Sequence, residues 1–118
     1  MNSTSANRAL TASERALATW MLENGTEEAR SYLAQLDEVE VTPWRCLCGC
    51  ASINFQVKGH PPAPSGVHVL SDFLCGPVYL PAGAFIYESG GLLRGLEVYS
   101  LGSDAPLVLP DAPLRPMA

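Results

Sequence analysis

The hydrophobic period of this chain changes once, near residue 39. Before that point apolar positions recur at helical spacing, and after it they recur at every second residue. Thr11 and Glu14 stand at capping-box spacing and predict a helix over 12–24. Leu17, Trp20 and Met21 form its apolar stripe, and Asn24-Gly25 supplies a left-handed stop. Thr26 is placed to cap a second short helix. Glu27 and Glu28 suit the positive end of its dipole, and Ala29, Tyr32, Leu33 and Leu36 line one side.

From Val39 the alternation is that of strands. Val39 and Val41 alternate with Glu38, Glu40 and Thr42 until Pro43 interrupts the pattern. The clearest strand runs over 51–58, where Ala51, Ile53, Phe55 and Val57 alternate with Ser52, Asn54, Gln56 and Lys58. A loop with three prolines and two glycines, 59–66, cannot join a ladder and separates this strand from the next, over 67–74. That strand carries apolar residues on both faces. A short extended piece over 78–80 follows, and then segments 83–88 and 92–101, joined by Ser-Gly-Gly, form the best hairpin in the chain. The last fifteen residues, 104–118, contain four prolines and favour an extended path.

These elements add up to an α+β fold, with an N-terminal pair of short helices packed on a mainly antiparallel sheet of four or five strands and a Pro-rich C-terminal tail. The expected boundaries are a flexible N-terminus over 1–10, one domain over 11–103 and the tail over 104–118. Two short helices cover only one face of such a sheet. The tail, a second copy of the chain or a ligand would cover the other, and a homodimer is the preferred expectation.

Composition narrows the function classes. A chain of 118 residues, 47% hydrophobic and 16% charged, is long enough to bury a core. Seven Lys and Arg against twelve Asp and Glu offer no basic patch for a phosphate backbone, so nucleic acid is not an expected partner. No stretch reaches the roughly 20 apolar residues of a membrane span, and the polar N-terminus lacks the apolar core of a signal peptide. A cytoplasmic location is expected, where cysteines stay reduced or bind metal.

Three of the four cysteines, Cys46, Cys48 and Cys50, stand at alternate positions at the entrance of the 51–58 strand. In a straight strand their side chains would be about 6.7 Å apart, whereas a tetrahedral zinc needs sulfurs about 3.8 Å apart. Only a turn brings them together, and Gly49 permits one. Cys75, or one of His60 and His68, would complete four ligands. The Cys-x2-Cys knuckles of common zinc modules are missing, so reduced structural thiols compete with metal ligation. A cysteine nucleophile would need His60 or His68 as its base, and a redox site would lack the Cys-x-x-Cys pattern. Trp44-Arg45, beside the cluster, would suit an anionic ligand or simple packing, and Glu97 with Tyr99 would suit a polar pocket or a wet face.

Arg45-Cys-Leu-Cys-Gly-Cys-Ala-Ser-Ile53, the Gly-Gly hairpin and Gly95-Leu-Glu-Val-Tyr99 resemble a group of small bacterial proteins that form a domain of unknown function. The resemblance covers residues 11–101 and implies a bacterial origin and a single-domain fold, without an activity. With no catalytic set visible, the leading expectation is a non-enzymatic binding or protein-interaction module, self-associating as a homodimer. The alternatives are a zinc-stabilised module using Cys46, Cys48, Cys50 and Cys75, and a thiol-dependent enzyme or redox protein. No cofactor is expected on the leading reading, and zinc is the one that the alternatives admit.

Overall fold

The computed structural model describes residues 6–101 and 105–117. Helix α1 spans Ala12–Glu23 and begins as the sequence predicts. The Thr11 hydroxyl accepts from the Glu14 amide, and the Glu14 carboxylate accepts from the Thr11 amide. Such a cap stabilises a helix by about 1 kcal/mol. Arg8 adds a two-pronged ion pair to Glu14, both contacts at 2.8 Å, and holds its carboxyl below the usual range against the opposing effect of burial. The second helix is shorter than its apolar stripe suggests. Helix α2 covers only Glu27–Arg30, and the chain then tightens into a 3₁₀ segment, Leu33–Glu38, that delivers it to the first strand.

Five strands follow: β1 Val39–Val41, β2 Ile53–Val57, β3 His68–Cys75, β4 Ala82–Ser89 and β5 Leu92–Ser100. They form one sheet in the order β1-β2-β5-β4-β3, with every neighbouring pair antiparallel. The α+β class and the β4–β5 hairpin are as expected, while residues 78–80 belong to a turn rather than a strand. The proline loop carries the chain from β2 to the far edge of the sheet. It passes the tip of the β4–β5 hairpin, where Ser89 Oγ donates to the Ser65 carbonyl and Arg94 to that of Gly66.

The core lies between the helices and one face of the sheet. Leu17, Met21 and Leu22 of α1 meet Phe55, Ile86, Leu96 and Val98, all buried, and the Trp20 ring sits 4.7 Å from that of Phe73. The outer face is filled differently. Phe85 lies between Tyr87 and Tyr99, at 5.5 and 5.9 Å, and Gly83 and Gly95 leave room for the two tyrosines to lie flat along the sheet. Tyr99 also donates to Asp72 at 2.8 Å, so Glu97 and Tyr99 flank an aromatic row rather than a polar pocket.

The tail is fastened at two points. The Pro106 carbonyl accepts from the Ala51 amide, and Arg115 exchanges two backbone hydrogen bonds with Leu74 on the exposed edge of β3. Between them Leu109, Ala112 and Leu114 pack against the core. At the other end, Arg8, within the segment expected to fray, exchanges two backbone hydrogen bonds with Val41 and extends the β1 edge. The expectations for residues 1–5, 102–104 and 118 lie outside the described residues.

Candidate thiol site at the sheet end

The β1–β2 connection is the longest in the sheet's hairpins, and it carries the cysteines. Thr42 extends the ladder by one rung, its amide donating to the Asn54 carbonyl, before Pro43 ends the pairing. The chain then reverses over Cys46–Gly49, with the Gly49 amide donating to the Cys46 carbonyl at 3.0 Å. Gly49 leaves this turn at φ +82°, a backbone region costly for any residue with a Cβ. The sequence permitted a turn here without indicating one; the turn is present, and it does what a straight strand cannot.

The sulfurs of Cys46, Cys48 and Cys50 all lie within 4.8 Å of one another. Cys46 and Cys48 are 3.0 Å apart, and the Cys50 amide donates to the Cys48 sulfur at 3.3 Å. A tetrahedral thiolate site needs sulfurs about 3.8 Å apart, so the three could close on one ion with shifts of about an ångström. Cys48 is exposed, and the other two are partly buried.

The three thiols hold their protons unequally. Hydrogen bonds from Cys46 and Cys50 push Cys48 up to about 11. Burial works against ionisation of Cys50, yet hydrogen bonds with Ser52, Cys48 and Cys46 outweigh it and bring that thiol down to about 7. An ion bound here would displace the protons that the thiols still hold, because its own charge favours the thiolates.

A cavity of about 420 Å³ opens beside the cluster. Cys46 and Cys50 lie on its wall with Trp44, Arg45, Ser52 and Leu107. Ser52, which the sequence offered only as one polar position of a strand, fixes the floor. Its hydroxyl is buried 3.2 Å from the Cys50 sulfur and makes two contacts with the Val98 backbone.

Cys75 does not join the group. It ends β3, where it pairs with Ala82, and β3 is three strand spacings from β2, roughly 14 Å along the sheet. It is buried, and desolvation raises its thiol pKa although Arg115 offsets part of the effect. His60 and His68 are also elsewhere. His60 follows β2 in a turn, its amide bonded to the Val57 carbonyl.

His68 belongs to a second constellation, one not anticipated from the sequence. Its Nδ1 lies 2.6 Å from Glu88, and its Nε2 lies 3.4 Å from Glu28. Glu88 is buried and also accepts from the Gly91 amide at 2.9 Å. The hydrogen bond to Glu88 and the charge of Glu28 raise the His68 pKa, so the imidazolium form is favoured. Symmetry about the Gly76–Pro81 turn would set His68 opposite Ser89, and it is the register shift between Val69 and Ser71 that places it opposite Glu88. These groups satisfy one another and clamp α2 to the β3–β4 edge.

No family model matches the chain, and no curated protein and no solved structure matches it. Function must therefore be read from the site. Among the described residues, no helix is long and apolar enough to cross a membrane.

Proposed function

We propose that this chain is a small non-enzymatic binding module whose ligand is a thiophilic metal ion, zinc in the first instance, held by Cys46, Cys48 and Cys50. The observation that carries the reading is the convergence of three sulfurs within 4.8 Å on one turn. Softness of the donor set supports zinc or copper(I) over magnesium or calcium, which take oxygen ligands. The proposal also places the protein in the cytoplasm, where the thiols stay reduced. It amends the four-cysteine version of the site, since Cys75 lies across the sheet.

Native mass spectrometry of protein purified without added metal or chelator tests this directly. One zinc per chain, lost from a Cys48→Ser variant but kept by Cys75→Ser, is the expected result. Metal-free protein that takes up no added zinc would overturn the proposal.

The same spectrum reads self-association. One observation favours a homodimer: Leu47, Val78, Tyr79, Leu107 and Val108 are largely exposed, and strand register puts their loops at one end of the sheet. A monomer at all micromolar concentrations would remove that second reading and leave the first intact.

A further inference from the structure

The donor set is one ligand short. Among the described residues, only three thiols converge, while a zinc site closed by protein has four ligands. Three protein ligands with a fourth position left open is the arrangement of zinc sites that bind an exogenous molecule. Here the space for that molecule is present, since two of the three thiols line the 420 Å³ cavity, within the range of small-molecule pockets.

The cavity wall also selects for charge. Arg45 is exposed on it, next in sequence to Cys46, and no carboxylate of the described residues pairs with it. The other arginine on the wall, Arg8, is already committed to Glu14. A guanidinium with no carboxylate partner among the described residues, beside a soft metal position, matches a ligand with two features. It carries a soft donor for the metal and, a few bonds away, a carboxylate for the fork of Arg45. The Trp44 ring on the same wall offers an apolar surface to the short carbon chain between them.

We propose that the fourth ligand of the metal is supplied by a low-molecular-weight thiol bearing a carboxylate, with its sulfur on the ion and its carboxylate on Arg45. The inference rests on the metal-binding reading. In forming the complex the incoming thiol gives its proton to solvent, and its sulfur takes a position otherwise held by water. No electron transfer is involved.

Cobalt(II), which reports thiolate coordination through its visible and near-ultraviolet absorption, separates this inference from the reading beneath it. The full chain is loaded with cobalt under reducing, oxygen-free conditions and titrated with 3-mercaptopropionate, 2-mercaptoethanol and propionate. The expected result is one cobalt per chain with thiolate charge-transfer absorption that grows with 3-mercaptopropionate. That compound binds roughly tenfold more tightly than 2-mercaptoethanol, the scale of one charge-assisted contact, and propionate leaves the spectrum unchanged. Arg45→Gln, a change at an exposed position, should erase the tenfold preference while leaving cobalt loading intact.

Equal affinity for the two thiols, or a preference that survives Arg45→Gln, overturns the inference and leaves the metal site standing. One cobalt per two chains also overturns it, because a second copy then supplies the missing ligand. Failure to load cobalt at all sinks both.

Discussion

Ser52 Oγ accepts the Val98 amide at 3.0 Å and donates to the Val98 carbonyl at 3.4 Å, so one buried hydroxyl takes the place of a missing rung between β2 and β5. The cysteine loop is thereby fixed to the centre of the sheet. Ser52→Ala should strand a buried amide and carbonyl and destabilise the protein by about 1–3 kcal/mol, a change read from urea denaturation. Because the same hydroxyl contacts Cys50, the variant should also bind metal more weakly than wild type in a competitive chelator titration.

The turn itself is the next point of weakness. Gly49 has open space where a Cβ would go, so Gly49→Ala meets no clash and is opposed only by φ +82°. The backbone cost is about 1 kcal/mol. If the turn assembles the site, this variant should keep the wild-type circular dichroism spectrum while its zinc affinity falls by roughly fivefold or more. Unchanged affinity would mean that the sulfurs gather on the ion without help from the turn.

On the outer face the prediction is steric. A Cβ on Gly83 would fall 2.1 Å from the Tyr99 ring, and a ring displaced from that position cannot keep its hydrogen bond to Asp72. Gly83→Ala should therefore cost about 1–3 kcal/mol, as overpacking does, and partly relax when combined with Tyr99→Ala. Thermal unfolding of the two single variants and the double variant completes the cycle.

The His68 clamp sets a pH dependence. Its pKa is raised above the ordinary 6.5 by the hydrogen bond to Glu88 and the charge of Glu28. The contribution is complete below pH 6.5 and is lost as pH climbs through the raised folded value. Glu88 runs the other way. Burial opposes its ionisation, but His68, the Gly91 amide and Tyr32 depress its pKa, so its share is present above the usual carboxylate range and lost on acidification. His68→Gln should leave a flatter stability curve as pH rises from about 6.5, measured by urea denaturation. An unaltered curve would show that the clamp contributes nothing in solution.

Acid should act on a second element as well. The Glu14 carboxyl, held low chiefly by Arg8, stabilises the start of α1 above the ordinary carboxylate range and loses that effect as pH falls through its depressed value. Glu14→Gln keeps a partner for the Thr11 amide but gives up the charge, so it should cost more at neutral pH than in acid.

What the sequence determined by itself is local. Thr11 and Glu14 cap a helix because both partners lie within three residues, and the β4–β5 hairpin follows from alternation on either side of Gly90-Gly91. The α+β class was legible for the same reason, whereas at Gly49 the sequence showed only that a turn was permitted. Helix α2 proved shorter than its stripe, since Tyr32, Leu33 and Leu36 reach the core equally well from a 3₁₀ segment that leads straight into β1.

Tertiary structure alone decided which distant groups meet. Periodicity assigns a residue to a face of its own strand but is silent on strand order, and the order β1-β2-β5-β4-β3 is what places Cys75 across the sheet from the other cysteines. The same order brings Ser52 to Val98, while α2 packing beside β3 brings Glu28 to His68. Alternation could not show that Gly83 and Gly95 make room for tyrosines, or that the tail's Leu109, Ala112 and Leu114 close onto the core. Those contacts join residues far apart in the chain, and such contacts form only when the whole set of buried surfaces closes at once.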